Sequence, residues 1–198
     1  MKILHLQAKQ RRSKYKSYKG EVGKVAPNIL KRNFEANKPF EKLTTDVTEF
    51  SVCEEKIYLS PIMDLYNREI IAYSISRSPN FWQTKEMLNG LFKKMPSNAR
   101  PVLHSDQGWQ YQMREYQQLL VEHNVTQSMS RKGNCLDNSS MENFFGRLKV
   151  EMFFGEKFQT TDEFIRRLEE YIAYYNNERI SLKLKGMSPI QYRTHSQD

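Results

Sequence analysis

The sequence predicts an α/β fold, a mixed sheet of five strands with helices on both faces. Three observations carry this expectation. From residue 43 the chain offers three successive stretches with the alternation and β-branched content of strands, joined by short polar turns. Two further strand-like runs then alternate with segments whose apolar residues recur at helical spacing. A meander of antiparallel strands followed by alternating strand and helix needs helices on both sides of the sheet to complete its core.

Taken in order, "LTTDVTEFSV" alternates and is rich in Thr, Val and Phe, "KIYLSPIMDL" follows a charged turn, and "REIIAYSIS" follows "YN". "SPNFWQTKEMLNGLFKKM" carries Met87, Leu88, Leu91, Phe92 and Met95 at helical spacing, and Pro96 stops it. "PVLHSD" is the fourth strand, "QMREYQQLLVEHN" a second helix and "VTQSMS" the fifth strand. A polar loop, "RKGNCLDNSS", leads into a helix at "MENFFGRLKVEMF". "TTDEFIRRLEEYIAYYNNERI" opens on Thr and Asp as cap residues and repeats Phe164, Leu168, Tyr171, Ile172 and Tyr175 on one face. No internal repeat is present. This is the element order of the ribonuclease H-like fold, a comparison that by itself says nothing about function.

Composition narrows the classes. With 198 residues, 38% hydrophobic and 27% charged, the chain can bury one core and is not a low-complexity protein. No stretch approaches the roughly 18–20 apolar residues that cross a bilayer, and the first residues lack the character of a signal peptide, so the expectation is a cytoplasmic chain with no membrane partner. Cys53 and Cys135 show neither a Cys-x-x-Cys pair nor zinc spacing. The net charge of +8 is concentrated at the front: residues 1–42 hold 12 Lys or Arg against 3 acids, and residues 43–198 hold 19 against 20. Residues 1–42 therefore read as a basic arm and 43–198 as the core. Arg11, Arg12, Lys14, Lys16 and Lys19, interleaved with Tyr15 and Tyr18, suit either a polyanion-binding arm or a solvated tail.

Three carboxylates stand out. Asp46 lies within the first strand, where an uncompensated charge among β-branched residues is costly. Asp106 ends the fourth strand, and in this element order the first and fourth strands can be neighbours. Two adjacent carboxylates repel unless a cation lies between them, and Mg²⁺ favours such oxygen ligands. Glu142 follows Asp106 with 35 residues between them, in the first turn of the helix after the loop. Lys149, seven residues further, shares its face. Each acid alone has a plainer reading: a turn residue for Asp106, the helix dipole for Glu142. Asp64 reads as a turn residue, Asp137 as a cap, and His104 as a packed strand histidine. A supporting role for Glu49 stays open.

The stretches "TTDVTEF", "HSDQGWQY", "SMSRKGNCLDNSSMENFFGRLKVE" and "YNNERISLKLKGMSPIQYR" resemble the catalytic subunit, the OrfB type, of bacterial insertion-sequence transposases with a retroviral-integrase-like core. They span about residues 28–193 in the family's order. The resemblance implies that Asp46, Asp106 and Glu142 are Asp-Asp-Glu metal ligands, that Lys149 contacts DNA, and that two Mg²⁺ ions, with Mn²⁺ as substitute, serve DNA cleavage and strand transfer. It implies double-stranded DNA as partner, a homo-oligomer when two ends are synapsed, and an upstream DNA-binding subunit. Arg131 and Lys132 in the loop are candidate phosphate contacts, or solvated charges. Leu43, Gln107, Trp109 and Ser181 depart from the family's usual Trp, Arg, small residue and His. Relatives carry a helical DNA-binding region before the core, of which only a basic end is expected here, as in a truncated copy, an internal start or a fragment of a frameshift product. A nuclease of the same fold, or a DNA-binding relative without catalysis, is the alternative.

Overall fold

A computed structural model of the chain describes residues 23–131 and 138–196. The expectations for Arg11, Arg12, Lys14, Lys16, Lys19, Lys132, Cys135 and Asp137 lie outside the described residues. Strands β1 (Lys42–Thr45), β2 (Thr48–Val52), β3 (Glu55–Asp64) and β4 (Ile70–Ser76) come first, then helix α1 (Phe81–Lys94) and β5 (Val102–Ser105). Helices α2 (Trp109–Gln112) and α3 (Arg114–Glu122), β6 (Thr126–Met129), α4 (Ser139–Leu148), α5 (Thr161–Asn177) and α6 (Pro189–His195) complete the order.

The sheet is mixed, as expected, but has six strands instead of five. The first expected strand is broken into β1 and β2, which lie end to end along β3 in one antiparallel register. Thr45 faces Ile62 and Thr48 faces Leu59, which leaves Asp46 opposite Pro61. Proline has no N–H to give to a ladder, so pairing opens where the aspartate stands. On its other side β1 runs parallel to β5, and β5 parallel to β6, while β4 pairs with the far side of β3. The hairpin between β2 and β3 turns on Cys53 and Glu54, both at positive φ, as a two-residue turn of the hairpin type requires.

Alternation along β3 feeds two cores. Ile57, Leu59 and Met63 join Phe50, Phe144, Leu148, Phe164 and Leu168 beneath α4 and α5. Ile62 joins Leu43, Met87, Leu88, Leu103, Tyr111 and Leu120 beneath α1 and α3. Helices thus cover both faces, and the side chains that alternate along one strand commit to opposite layers.

Three local features add to the expected pattern. The second helix begins earlier, as the short α2, and breaks at Met113, whose backbone is extended. Helix α4 passes into a π-helical turn, Lys149–Phe153, instead of continuing regularly. After α5 the chain folds through a 3₁₀ turn at Leu182–Leu184 into α6, whose start is fixed by a capping box between Ser188 and Gln191.

The described part of the basic arm, residues 23–41, forms no helix or strand and lies on the core. Ile29 N donates to Ser128 Oγ at 2.9 Å, Met129 N donates to the Pro27 carbonyl at 3.3 Å, and Leu30 is buried. These contacts cover the edge strand β6, which would otherwise offer free pairing groups. Among the described residues no helix is long and apolar enough to cross a membrane.

Phe164 is the natural probe of the α4/α5 layer. It is fully buried, with the rings of Phe50 and Phe158 each 5.1 Å away and Phe153 at 5.8 Å. Phe164→Ala is expected to destabilise the chain by about 3–5 kcal/mol. Urea unfolding of the two proteins measures it, and a loss below about 1 kcal/mol would mean that this cluster is not a packed core.

Candidate active site

Parallel pairing of β1 with β5 sets the geometry. Thr44 is level with His104, so two residues further on Asp46 stands level with Asp106, each just past the end of its strand. Neighbouring strands lie about 4.8 Å apart, which makes the two carboxylates close neighbours. Asp46 Oδ1 accepts from Val47 N at 2.7 Å and Asp106 Oδ1 accepts from Gly108 N at 2.8 Å. Gly108 allows that tight turn: a Cβ there would stand 3.0 Å from the same Asp106 oxygen and 2.7 Å from Gln110 Nε2.

The electrostatics follow from this placement. Burial pushes Asp46 well above the ordinary carboxylate range; the Asp106 charge adds to the rise and Glu142 adds a smaller push, while the Val47 N–H and Lys149 pull the other way. Burial also raises Asp106, against the Gly108 N–H. Both groups therefore hold a proton more readily than exposed carboxylates, with Lys149 the cation that acts against this at Asp46.

Helix α4 is fixed to the strand ends by Asn138. This residue is 5% exposed; its Oδ1 accepts from the Thr44 hydroxyl at 2.5 Å and its Nδ2 donates to the Thr45 carbonyl at 3.2 Å. Glu142 lies one helical turn later, exposed in the first turn, on the side that Asn138 ties to β1. Lys149 comes almost two turns further. Its Nζ donates to the Glu49 carbonyl at 3.4 Å and lies 5.2 Å above the Phe50 ring, with its charge felt at Asp46. Among the described residues no group of three or more His, Cys, Asp or Glu is drawn together tightly enough to hold a metal ion. The Asp46–Asp106 pair is formed, with Glu142 within electrostatic reach.

The remaining candidates separate clearly. Asp64, at the end of β3, is buried and accepts from Phe40 N at 2.8 Å and Tyr66 N at 2.9 Å, a turn residue. Glu49 is exposed and pairs with Lys56 at 3.1 Å. His104 is buried and shares a 2.8 Å hydrogen bond between Nδ1 and Ser128 Oγ, so it is packed as expected. Arg131 is exposed at the start of the loop. Two residues near the acids have roles that the sequence does not show in full. Asn138 reads in the sequence as a residue that, with Asp137, could shape the approach to Glu142, but its bonds to Thr44 and Thr45 are not visible there. Tyr111 is fully buried, and burial and the charges of Asp46 and Asp106 push its phenol up. Its placement depended on α2, which the spacing did not reveal.

Comparison with known structures identifies the class first. The fold is similar to a chain of the simian T-cell lymphotropic virus intasome (TM-score 0.67, 14% identity, 87% of this chain and 58% of that one). It is also similar to the catalytic core domain of HTLV-2 integrase in complex with magnesium (TM-score 0.57, 15% identity, 79% of this chain and 98% of that one). At such identity the likeness establishes an integrase-type, ribonuclease H-like fold. Residues 36–135 match one family described as integrase core domain, and residues 142–196 match a second with the same description. A transposase-like protein of Haemophilus influenzae is 56% identical over 196 residues, 99% of this chain and 90% of its own length. InsK of Escherichia coli, named as a transposase of insertion sequence element IS150, is 54% identical over 196 residues, 99% of this chain and 69% of its own length. InsF of IS3A from the same bacterium is 34% identical over 179 residues, 89% of this chain and 62% of its own length. The chain belongs to the integrase-core transposases of bacterial insertion sequences.

The Asn138 link offers a direct test of how α4 is held. Asn138→Ala leaves the Thr44 hydroxyl only its longer 3.3 Å bond to the His104 carbonyl, removes the Nδ2 donor from the Thr45 carbonyl, and is expected to cost about 1–3 kcal/mol. The melting temperature should fall by about 2–4 °C for each kcal/mol lost. An unchanged melting curve would show that α4 does not depend on this residue.

Proposed function

We propose that the chain breaks and rejoins DNA phosphodiesters with Asp46, Asp106 and Glu142 as ligands of Mg²⁺. The observation that carries this reading is the level alignment of Asp46 and Asp106 at the ends of adjacent parallel strands, both raised by burial and Asp46 also by its neighbour. An all-oxygen, acid-rich donor set suits a hard divalent cation that keeps open positions for phosphate. Asp46 and Asp106 would hold the ions from the sheet and Glu142 from α4. The chemistry supplied by bound Mg²⁺, or by Mn²⁺ in its place, is activation of water or a 3′-hydroxyl on one side of the phosphorus and stabilisation of the leaving oxygen on the other. Water as attacking group gives cleavage; a 3′-hydroxyl gives joining.

The chain's own groups do the rest. Asn138 keeps the Glu142 helix at the strand ends, and Gly108 keeps the turn after β5 tight against the Asp106 carboxylate. Lys149, within range of the acids, would hold a phosphate of the donor strand. Arg131 and Lys132 in the loop, and Arg11, Arg12, Lys14, Lys16 and Lys19 in the arm, would supply sequence-independent affinity for double-stranded DNA. Synapsis of two element ends calls for more than one copy of the chain, with an upstream DNA-binding subunit as a further partner, in the bacterial cytoplasm where the DNA lies.

The test is cleavage and strand transfer of a labelled duplex carrying the element's ends, with Mg²⁺, Mn²⁺ or EDTA. Asp46→Asn and Glu142→Gln are each expected to lower both reactions by at least about a hundredfold while leaving DNA affinity within a few fold. Either variant retaining full activity would refute the ligand assignment. Metal-dependent cleavage without joining would instead identify a nuclease.

A pH dependence follows from the same acids. Asp46 and Asp106 bind protons more tightly folded than unfolded, so in chelator the stability they contribute is highest at low pH and falls as pH rises through their folded values. Asp64, pushed up to about 6 chiefly by burial, acts in the same direction between about 3.8 and 6. Urea midpoints measured from pH 4.5 to 7.5 should show this decline. Asp46→Asn should flatten it, and saturating Mg²⁺ should reduce it in the wild type alone. A decline that Mg²⁺ leaves untouched would count against metal binding by the pair.

A further inference from the structure

On the side of α4 turned away from the paired acids, an open recess is formed with α5 and the 3₁₀ turn. Four cationic side chains line it: Arg68, Arg147, Arg179 and Lys183. Ser140 and Asn143, on the same helix as Arg147, add hydroxyl and amide groups to the wall. Arg179 is neutralised by a two-pronged ion pair with Glu151, at 2.6 Å from Nη2 and 2.8 Å from Nε. Arg147 and Lys183 are exposed and make no hydrogen bond or ion pair among the described residues. The recess therefore carries an excess of positive charge.

Arg68 shows that this charge is built into the fold. Its backbone is left-handed, at φ +64°, where a non-glycine residue is uncommon. That conformation is held by Arg68 N donating to the Asp64 carbonyl at 2.9 Å and by the Tyr175 hydroxyl donating to the Arg68 carbonyl at 3.1 Å. The side chain is thereby directed inward, where one guanidinium nitrogen donates to Ser140 Oγ. Burial pulls this guanidinium below its usual range; Tyr175 and the Asp64 carboxylate act against the fall, and the charge of Arg147 adds a smaller push downward. The exposed cations Arg147 and Lys183 line the same recess as this half-buried arginine, an arrangement that favours an anion among them, and a planar guanidinium matches phosphate oxygens in pairs.

We propose that this recess is a phosphate-binding subsite for the backbone of the DNA duplex, held principally by Arg68, Arg147 and Lys183. It rests on the DNA-processing reading above and extends it to a surface outside the carboxylate site. Consecutive helical positions lie about 100° apart, so Glu142 and Asn143 turn one helix toward two places at once. A duplex seated over α4 would have one phosphate at the acids and others, further along its backbone, in the recess.

The experiment uses the full chain and compares Arg147→Gln/Lys183→Gln with a charge-matched control, Lys93→Gln/Arg100→Gln, at exposed cations in the last turn of α1 and in the loop after it, on the other face of the sheet. Binding of a labelled duplex is followed against salt, with cleavage in Mg²⁺ measured in parallel. Loss of two phosphate contacts should make the slope of log K against log salt shallower by about 1.8, and shallower than in the control. A slope equal to the control's, in a wild type that binds and cleaves, overturns the subsite alone. A wild type that neither binds nor cleaves DNA overturns both readings. Inorganic phosphate provides the remaining arm. If it raises the melting temperature of the wild type but not of the Arg147/Lys183 variant, while the DNA slope matches the control, the recess takes a free anion and the DNA assignment falls.

Discussion

The side-by-side pairing of β1 with β5 is the constraint on which the molecule depends. It fixes two chain segments 60 residues apart at one level, so that the residues just past their ends, Asp46 and Asp106, meet. The ladder opposite Asp46 is opened by Pro61, which frees this part of the strand from pairing without disturbing the register on either side. Two cores then grip the strands from above and below, and α4 is docked on them by Phe144, Phe145 and Leu148 as well as by Asn138. The unfavourable proximity of like charges is imposed by packing that is favourable everywhere else.

Much of this was legible in the sequence because the signals were local. The strands β3 to β6 and the helices α1, α4 and α5 announced themselves by period, by Pro96 and by capping residues. Element order allowed the first and fourth strands to be neighbours. What was not legible depended on contacts across the sheet. The break at Asp46 comes from a proline in another strand, fifteen positions away, and no window around residue 46 contains its cause. The division of α2 from α3 at Met113 likewise interrupts a pattern that reads as one helix. The positions of Asp46, Asp106 and Glu142 in their elements could be read, but not Asn138 as a clamp, since its partners are the hydroxyl and carbonyl of residues more than ninety positions earlier. The packing of residues 23–41 on β6 was hidden for a related reason: their charge suggested a free arm, whereas Leu30 and backbone hydrogen bonds bind them to the core.

Helix α4 joins two kinds of surface. One side brings Glu142 toward the acid pair and, almost two turns on, Lys149, whose charge opposes that of the carboxylates. Another side brings Ser140, Asn143 and Arg147 to a basic recess. Between them Phe144, Phe145 and Leu148 anchor the helix in the core. The π-helical turn begins at Lys149, where the wider winding lets the chain leave the sheet while the lysine stays over Phe50.

Three aspartates terminate or interrupt strands in this chain, and their oxygens distinguish them. Asp64 uses both: Oδ2 takes the Phe40 N–H and Oδ1 the Tyr66 N–H, so its hydrogen-bonding is closed by the backbone that it helps to turn. Asp46 and Asp106 each accept one backbone N–H with Oδ1, and their second oxygens accept no hydrogen bond among the described residues. A turn aspartate exists to satisfy the chain and is satisfied by it. A carboxylate kept beside its like, partly shielded from water and with an oxygen that the chain does not use, differs from a turn aspartate in the one respect that the proposed cation would answer.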